Sequence, residues 1–247
     1  MSPFIAFLVF IFSASVSIGQ ENIRLQNGLV NISDVDPSII INLKYNQNDN
    51  IAGRKLVDRE QENAYMSLEV AYALREVQQD LAMYGYSLVI YDAYNAHDTY
   101  KQLKKICYEY RPERAKIYHP NLTGEDLKNS GYIKIKYAHA RASTVDVSLI
   151  SLKKKIIKPG VKQIRSFANH HDIAYIYDGT IDMGTSHDTL DPLSEHGNNL
   201  IEKEARENRE LLRKIMEDHG FIAHEKFWWQ YTLAREPYAD SKFNFEL

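Results

Sequence analysis

Residues 68–91 constrain the fold more than any other stretch. Leu68, Ala71, Leu74, Val77, Gln78 and Leu81 line up on one side of a repeat of roughly 3.6 residues, with charges opposite, which predicts a helix over 60–84. Gly85 stands where a helix stops, because glycine adopts the left-handed conformation that ends one. Ser87-Leu88-Val89-Ile90-Tyr91 follows as a short apolar run and predicts a buried strand. A helix that passes straight into a buried strand has to share its core.

The 247 residues, 44% hydrophobic and 26% charged, suit one soluble α+β domain with a sizeable core. A formal net charge of −3 gives no reason to expect nucleic acid or an anionic membrane surface as a partner. Residues 1–19 differ from the rest. Phe4 to Phe12 is almost wholly apolar, and Ser17 and Gly19 are small where a signal peptidase cuts, so the expectation is a signal peptide over 1–19 and a single domain over 20–247. The mature chain is then secreted or periplasmic, with no membrane contact after cleavage. Cys107 is the only cysteine, so no internal disulfide forms, and its helical context makes it a core residue. Asn31 and Asn121 open glycosylation sequons, which matter only in a eukaryotic source.

The remaining pattern is a strand over 39–45, a polar turn over 46–50 and a helix over 97–110. A polar loop with two helix-like turns covers 111–131, with His119 as a loop histidine. Two strands, 133–137 and 145–150, enclose a short irregular segment. Lys153, Lys154 and Lys155 read as a solvated edge. A last helix over 202–219 stops at Gly220, and 221–233 is an aromatic-rich strand or hairpin. The adjacent His170-His171-Asp172 read as surface residues, since neighbours on one element point in different directions.

Chemistry concentrates in the irregular segment, where His139 and Asp146 lie seven residues apart. Such a pair suits a zinc site, and equally a buried histidine–aspartate hydrogen bond; spacing alone leaves both open. The order of motifs along the chain is more specific. Leu43-Lys44-Tyr45, Asp92-Ala93-Tyr94, His139 to Asp146, Asp182-Met183-Gly184-Thr185 and Trp228-Trp229 together resemble the D-alanyl-D-alanine dipeptidases over roughly residues 29–233. The resemblance implies an α+β fold with a small, mostly antiparallel central sheet, surrounding helices and a single cleft. It also implies zinc ligands at His139 and Asp146, and substrate contacts at Tyr45, Asp92, Asp182 and Trp228, with Asp182 receiving the free amino group of a dipeptide. Residues 151–181 are an insertion relative to the family.

The departures fall where the family does its chemistry. Asn95 stands in place of the arginine that faces the scissile carbonyl, Phe227 in place of the glutamate base, and Gln230 in place of the third zinc ligand. Tyr137, Ala142 and Thr144 replace the serine, glycine and alanine of the zinc loop, and His187 stands where the family has phenylalanine. Phenylalanine takes no proton, an amide is a poor zinc ligand, and asparagine carries no charge. His224 lies upstream of the tryptophans, out of register to substitute. The expectation is therefore an impaired or inactive dipeptidase-like protein that holds zinc weakly or not at all and binds a small peptide or cell-wall fragment. The alternative is an active zinc dipeptidase with a rearranged site, working in peptidoglycan metabolism.

Overall fold

The computed structural model describes residues 25–57, 63–109, 111–167 and 171–245, so the expected signal peptide lies outside the described residues. The elements run in this order: β1 (Leu25–Gln26), β2 (Leu29–Asn31), β3 (Ile40–Ile41), β4 (Tyr65–Met66), α1 (Leu68–Met83), β5 (Tyr86–Asp92), α2 (His97–Tyr108), α3 (Pro112–Tyr118), α4 (Gly124–Asn129), α5 (Tyr132–Ile135), β6 (Thr144–Ser151), β7 (Val161–Phe167), β8 (His171–Tyr177), α6 (Lys203–Asp218), β9 (Phe221–Ala223) and β10 (Gln230–Leu233).

The central sheet has the order β3-β5-β6-β10-β9; β3 runs parallel to β5 and every other neighbour is antiparallel. A small antiparallel sheet, β1-β2-β4, flanks it, and β7 and β8 form a separate hairpin. This is the α+β architecture the resemblance implies. Helix α1 packs on β5 and against α6, and α6 packs on β9. Leu74, Val77 and Leu81 from α1, Leu88 and Ile90 from β5, and Leu212 and Met216 from α6 fill one continuous core.

Several boundaries differ from the sequence reading. Helix α1 begins at Leu68 rather than at 60, because Ser67 caps it by accepting from the Val70 amide, and the preceding Tyr65–Met66 is drawn into β4. Only Ile40–Ile41 of the expected strand 39–45 is extended; Lys44–Asn46 curl into a 3₁₀ turn. The strand expected over 133–137 is helical instead: Tyr132–Ile135 form α5 and Lys136–Arg141 continue as a 3₁₀ helix. The alternation Ile133-Lys134-Ile135-Lys136 looked like a strand, yet Lys136 is fully buried. Burial of Tyr132, Ile133 and Lys136 follows the spacing of a helix, not the alternate residues of a strand. Residues 151–181, expected as an insertion, hold the β7–β8 hairpin. Cys107 is buried in the core, the three lysines 153–155 are exposed, and 221–233 is the expected hairpin.

Candidate active site

Register places the first part of the site. Asp146 on β6 pairs directly with Asp92 on β5 and with Gln230 on β10. Directly opposed residues share a face of the sheet, so the three side chains stand in a row across its three middle strands. The 3₁₀ turn Lys136–Arg141 then delivers His139 against that row, its ring stacked at 5.8 Å and 26° on Tyr100 of α2. The chain leaves the turn through Ala142, held at φ 57° where the family pattern has glycine; a Cβ in the left-handed region costs about 1–2 kcal/mol.

His139, Asp146 and Gln230, far apart in sequence, thus converge. His139 Nε2 lies 3.1 Å from Asp146 Oδ1 and 2.9 Å from the Gln230 amide. Its Nδ1 faces Asp92 Oδ2 at 3.8 Å. Asp92 in turn accepts from the Asn95 amide at 2.7 Å and the Tyr100 hydroxyl at 3.0 Å. Asn95 is therefore buried and committed to Asp92. Phe227 is fully buried, stacked on Trp229 at 4.8 Å and on Tyr132 at 5.5 Å.

Three further residues complete the cluster, and sequence reasoning did not place them there. His187 Nε2 lies 2.9 Å from Asp146 Oδ2. Asp188 receives the Tyr45 hydroxyl at 3.0 Å. Lys136 Nζ sits 2.5 Å from Asp188 Oδ1 and 3.5 Å from Asp146 Oδ2, with no exposed surface. His187 was noted only as a departure from phenylalanine. Lys136 was hidden by the strand reading of its segment.

The charges hold one another in place. Burial pushes Asp146 up, but the charges of His139 and Lys136 outweigh it and keep the carboxyl well below its ordinary range. Asp188 is likewise lowered: burial opposes, His187 and Lys136 prevail. His139 is raised, because Asp146 and Asp92 overcome the cost of burying its charge. Lys136 is also raised, the three aspartates outweighing burial. Asp92 moves up, chiefly through burial, with His139 pulling it back and Asp146 adding to the rise.

Two overlapping sets among the described residues, Asp92-His139-Asp146 and Asp146-His187-Asp188, bring metal-type donors within 4.8 Å of one another. A tightly held zinc needs three protein donors facing one point. In the first set His139 turns opposite nitrogens to the two carboxylates, so one ion takes His139 Nε2 and Asp146 Oδ1 beside the Gln230 amide, while the second imidazole, His187, meets the other oxygen of Asp146. In the second set a lysine ammonium already touches Asp188 and approaches Asp146. The donor set does not fit a firmly bound zinc.

Of the residues expected to meet substrate, Trp228 lines a small pocket beside the cluster, together with Lys44, Tyr91, Asp178, Thr180 and His187. Tyr45 and Asp92 are buried and do not line it. Asp178 accepts from Lys44 Nζ at 2.8 Å, the Tyr91 hydroxyl at 2.9 Å and Thr180 Oγ1 at 2.7 Å. Asp182 stands apart: Arg165 of β7 grips its carboxylate with two hydrogen bonds, 2.8 and 2.6 Å, while stacking on Tyr175. The β7–β8 hairpin thus engages the residue expected to receive an amino group and leaves its side chain partly exposed. His224 faces Phe227, and its Nδ1 accepts from the Lys226 amide. His170 lies outside the described residues, and Asp172 is exposed on the hairpin. Both sequon asparagines are engaged, Asn31 donating to Asn63 and Asn121 to Asp191.

The D-ala-D-ala dipeptidase family matches this chain over residues 25–164 and 153–247. A D-alanyl-D-alanine dipeptidase of Enterococcus faecalis (strain ATCC 700802 / V583) is 29% identical over 222 residues, 90% of this chain and 98% of that protein. One from Enterococcus faecium is 26% identical, with the same coverage of 90% and 98%. One from Streptomyces coelicolor is 27% identical over 83% of this chain and 90% of its own length.

Proposed function

The chain belongs to the D-alanyl-D-alanine dipeptidase family, and from that premise we propose that it is an exported member that binds a small cell-wall peptide and hydrolyses D-Ala-D-Ala poorly or not at all. The observation that carries this is Phe227. Zinc peptidases need a base beside the metal-activated water, and a fully buried ring stacked between Trp229 and Tyr132 cannot serve as one.

Two more features support the reading. Asn95 donates to Asp92, so it brings neither the charge nor the reach of an arginine to a developing oxyanion. Gln230 offers only an amide beside His139, so zinc is held weakly or not at all. A base typically contributes 10²–10⁴-fold, and one oxyanion donor about 10²–10³-fold. Losing both beside a metal ligand leaves little of the reaction.

Ligand binding falls to the cleft of Lys44, Tyr91, Asp178, Thr180 and Trp228, which offers paired opposite charges and hydroxyls to a short zwitterionic peptide. Export rests on the apolar run Phe4 to Phe12 and the small residues after it. Among the described residues no helix is long and apolar enough to cross a membrane. The partner proposed with export is a peptide in the periplasm or outside the cell.

The test is D-Ala-D-Ala turnover by wild type supplied with zinc, beside His139→Ala and His187→Ala. No turnover above the His139→Ala background is expected. Turnover lost in both variants would overturn the reading in favour of an active dipeptidase with a rearranged site, His187 being the second imidazole that already touches Asp146.

A further inference from the structure

A buried site containing three carboxylates normally has to be balanced by an ion or opened to water. Asp92, Asp146 and Asp188 are all buried here. Lys136 is buried with them, its ammonium between Asp188 Oδ1 at 2.5 Å and Asp146 Oδ2 at 3.5 Å. The rings of Tyr45 and Phe227 wall it in at 5.6 and 5.8 Å.

Resting on the reading of this chain as an impaired dipeptidase, we propose that Lys136 is a resident cation: it supplies within the site the positive charge a metal would bring, so the cluster assembles without metal. Both oxygens of Asp146 are already engaged, Oδ1 by His139 and Oδ2 by His187 and Lys136. Both oxygens of Asp188 are engaged as well, Oδ1 by Lys136 and Oδ2 by Tyr45. An incoming dication would compete with the ammonium for Asp146 and be repelled by it.

The surrounding residues agree. Lys136 and His139 leave the same 3₁₀ turn, so the segment that presents the imidazole also presents the cation. Phe227, being neutral, leaves the ammonium to Asp146 and Asp188. An acid at 227 would draw it away, since its Nζ lies 5.8 Å from the centre of that ring. The lysine and the neutral ring at 227 are therefore coupled through charge.

The experiment compares cobalt(II) and zinc binding by chelator-treated wild type, Lys136→Met and the charge-matched double variant Lys136→Met/Asp188→Asn. Cobalt absorption, metal content after dialysis and thermal melting are the readouts. Wild type should retain well under one metal per chain and melt at the same temperature with EDTA or zinc. Lys136→Met should bind cobalt at least tenfold tighter than wild type and melt higher with zinc than with EDTA. Should Lys136→Met fail to fold, the double variant, which removes the lysine and its closest charge together, should still bind cobalt at least tenfold tighter. One zinc per chain surviving EDTA dialysis in wild type, or a folded Lys136 variant that binds cobalt no tighter than wild type, would overturn the proposal. The two readings separate cleanly. Dipeptide turnover by wild type in excess zinc sinks the impaired-enzyme reading, whereas the cobalt comparison decides the lysine.

Discussion

Phe227→Glu returns the family's acid to its place, and the structure says what that costs. The ring is fully buried and stacks on Trp229 and Tyr132. Emptying such a site costs about 3–5 kcal/mol. Burying a carboxylate there adds several more before compensation. Lys136 provides the compensation: with its Nζ 5.8 Å from the ring centre, a charge pair at an effective dielectric of ~20 returns about 3 kcal/mol. The net loss is then about 3–5 kcal/mol. At about 2–4 °C per kcal/mol for a domain of this size, Tm should fall by about 6–20 °C. Phe227→Leu, which loses the stack but stays apolar, should lose about half of that or less. Neither variant should turn over D-Ala-D-Ala, because a glutamate paired with Lys136 is held ionised with its basicity reduced. Thermal melting and a guanidinium titration measure the first part, and dipeptide hydrolysis the second. A Phe227→Glu protein within about 2 °C of wild type would refute the reasoning, since the position would then accept an acid freely.

Stability should peak between the ordinary carboxylate and imidazole values, 3.8 and 6.5. The lowered Asp146 and Asp188 contribute stability above 3.8 that is lost as pH falls through their folded values; the raised His139 contributes below 6.5 and loses it as pH rises through its own. Asp92, raised, works against the acid limb and blunts it, and His139→Gln should flatten the alkaline limb of a Tm–pH curve. Arg165→Ala should free Asp182 and tighten D-Ala-D-Ala binding about three- to tenfold by calorimetry, the scale of releasing a partly exposed pair; unchanged affinity would take Asp182 out of the ligand site. Arg209, buried in α6, donates to the Met183, Glu195 and Leu193 carbonyls and to Thr185, so Arg209→Met should cost about 3–5 kcal/mol in a denaturant titration by orphaning them. N-terminal sequencing of exported protein should begin at or near Gln20, and a chain that starts at Met1 would refute export.

The sequence showed the layers of the fold where apolar spacing is strong. Helix α1, its Gly85 stop and strand β5 were readable because each buries one face in one core, and residues 221–233 because aromatics concentrate there. It failed at 133–137, where Ile-Lys-Ile-Lys alternates like a strand but a lysine is the buried residue. A buried lysine leaves no periodic signal, since its burial depends on carboxylates from β6 and from the loop at Asp188, remote in sequence. For the same reason His139, Asp146 and Gln230 were legible as positions, through motif order, while His187 and Lys136 were not. Their roles arise only from strand register and loop closure. The partnership of Asp182 with Arg165 was equally hidden, because Arg165 lies on the β7–β8 hairpin, outside the motifs that singled out Asp182.

The replaced positions form one contact network. Gln230 touches His139, His139 touches Asp146, and Asp146 touches His187 and Lys136, while Asn95 reaches the same histidine through Asp92. Groups so connected do not contribute independently, and a change at one is felt through the partners it leaves unpaired. An imidazole restored at 230 would gain a metal to hold only if Lys136 yielded Asp146. A carboxylate restored at 227 would be drawn to Lys136 before it met any water. An arginine restored at 95 would displace the amide that now satisfies Asp92 and add a second cation beside His139. Each single reversion is therefore opposed by a contact already made within the network, so any return of hydrolysis requires the lysine to change together with the acid and the histidine.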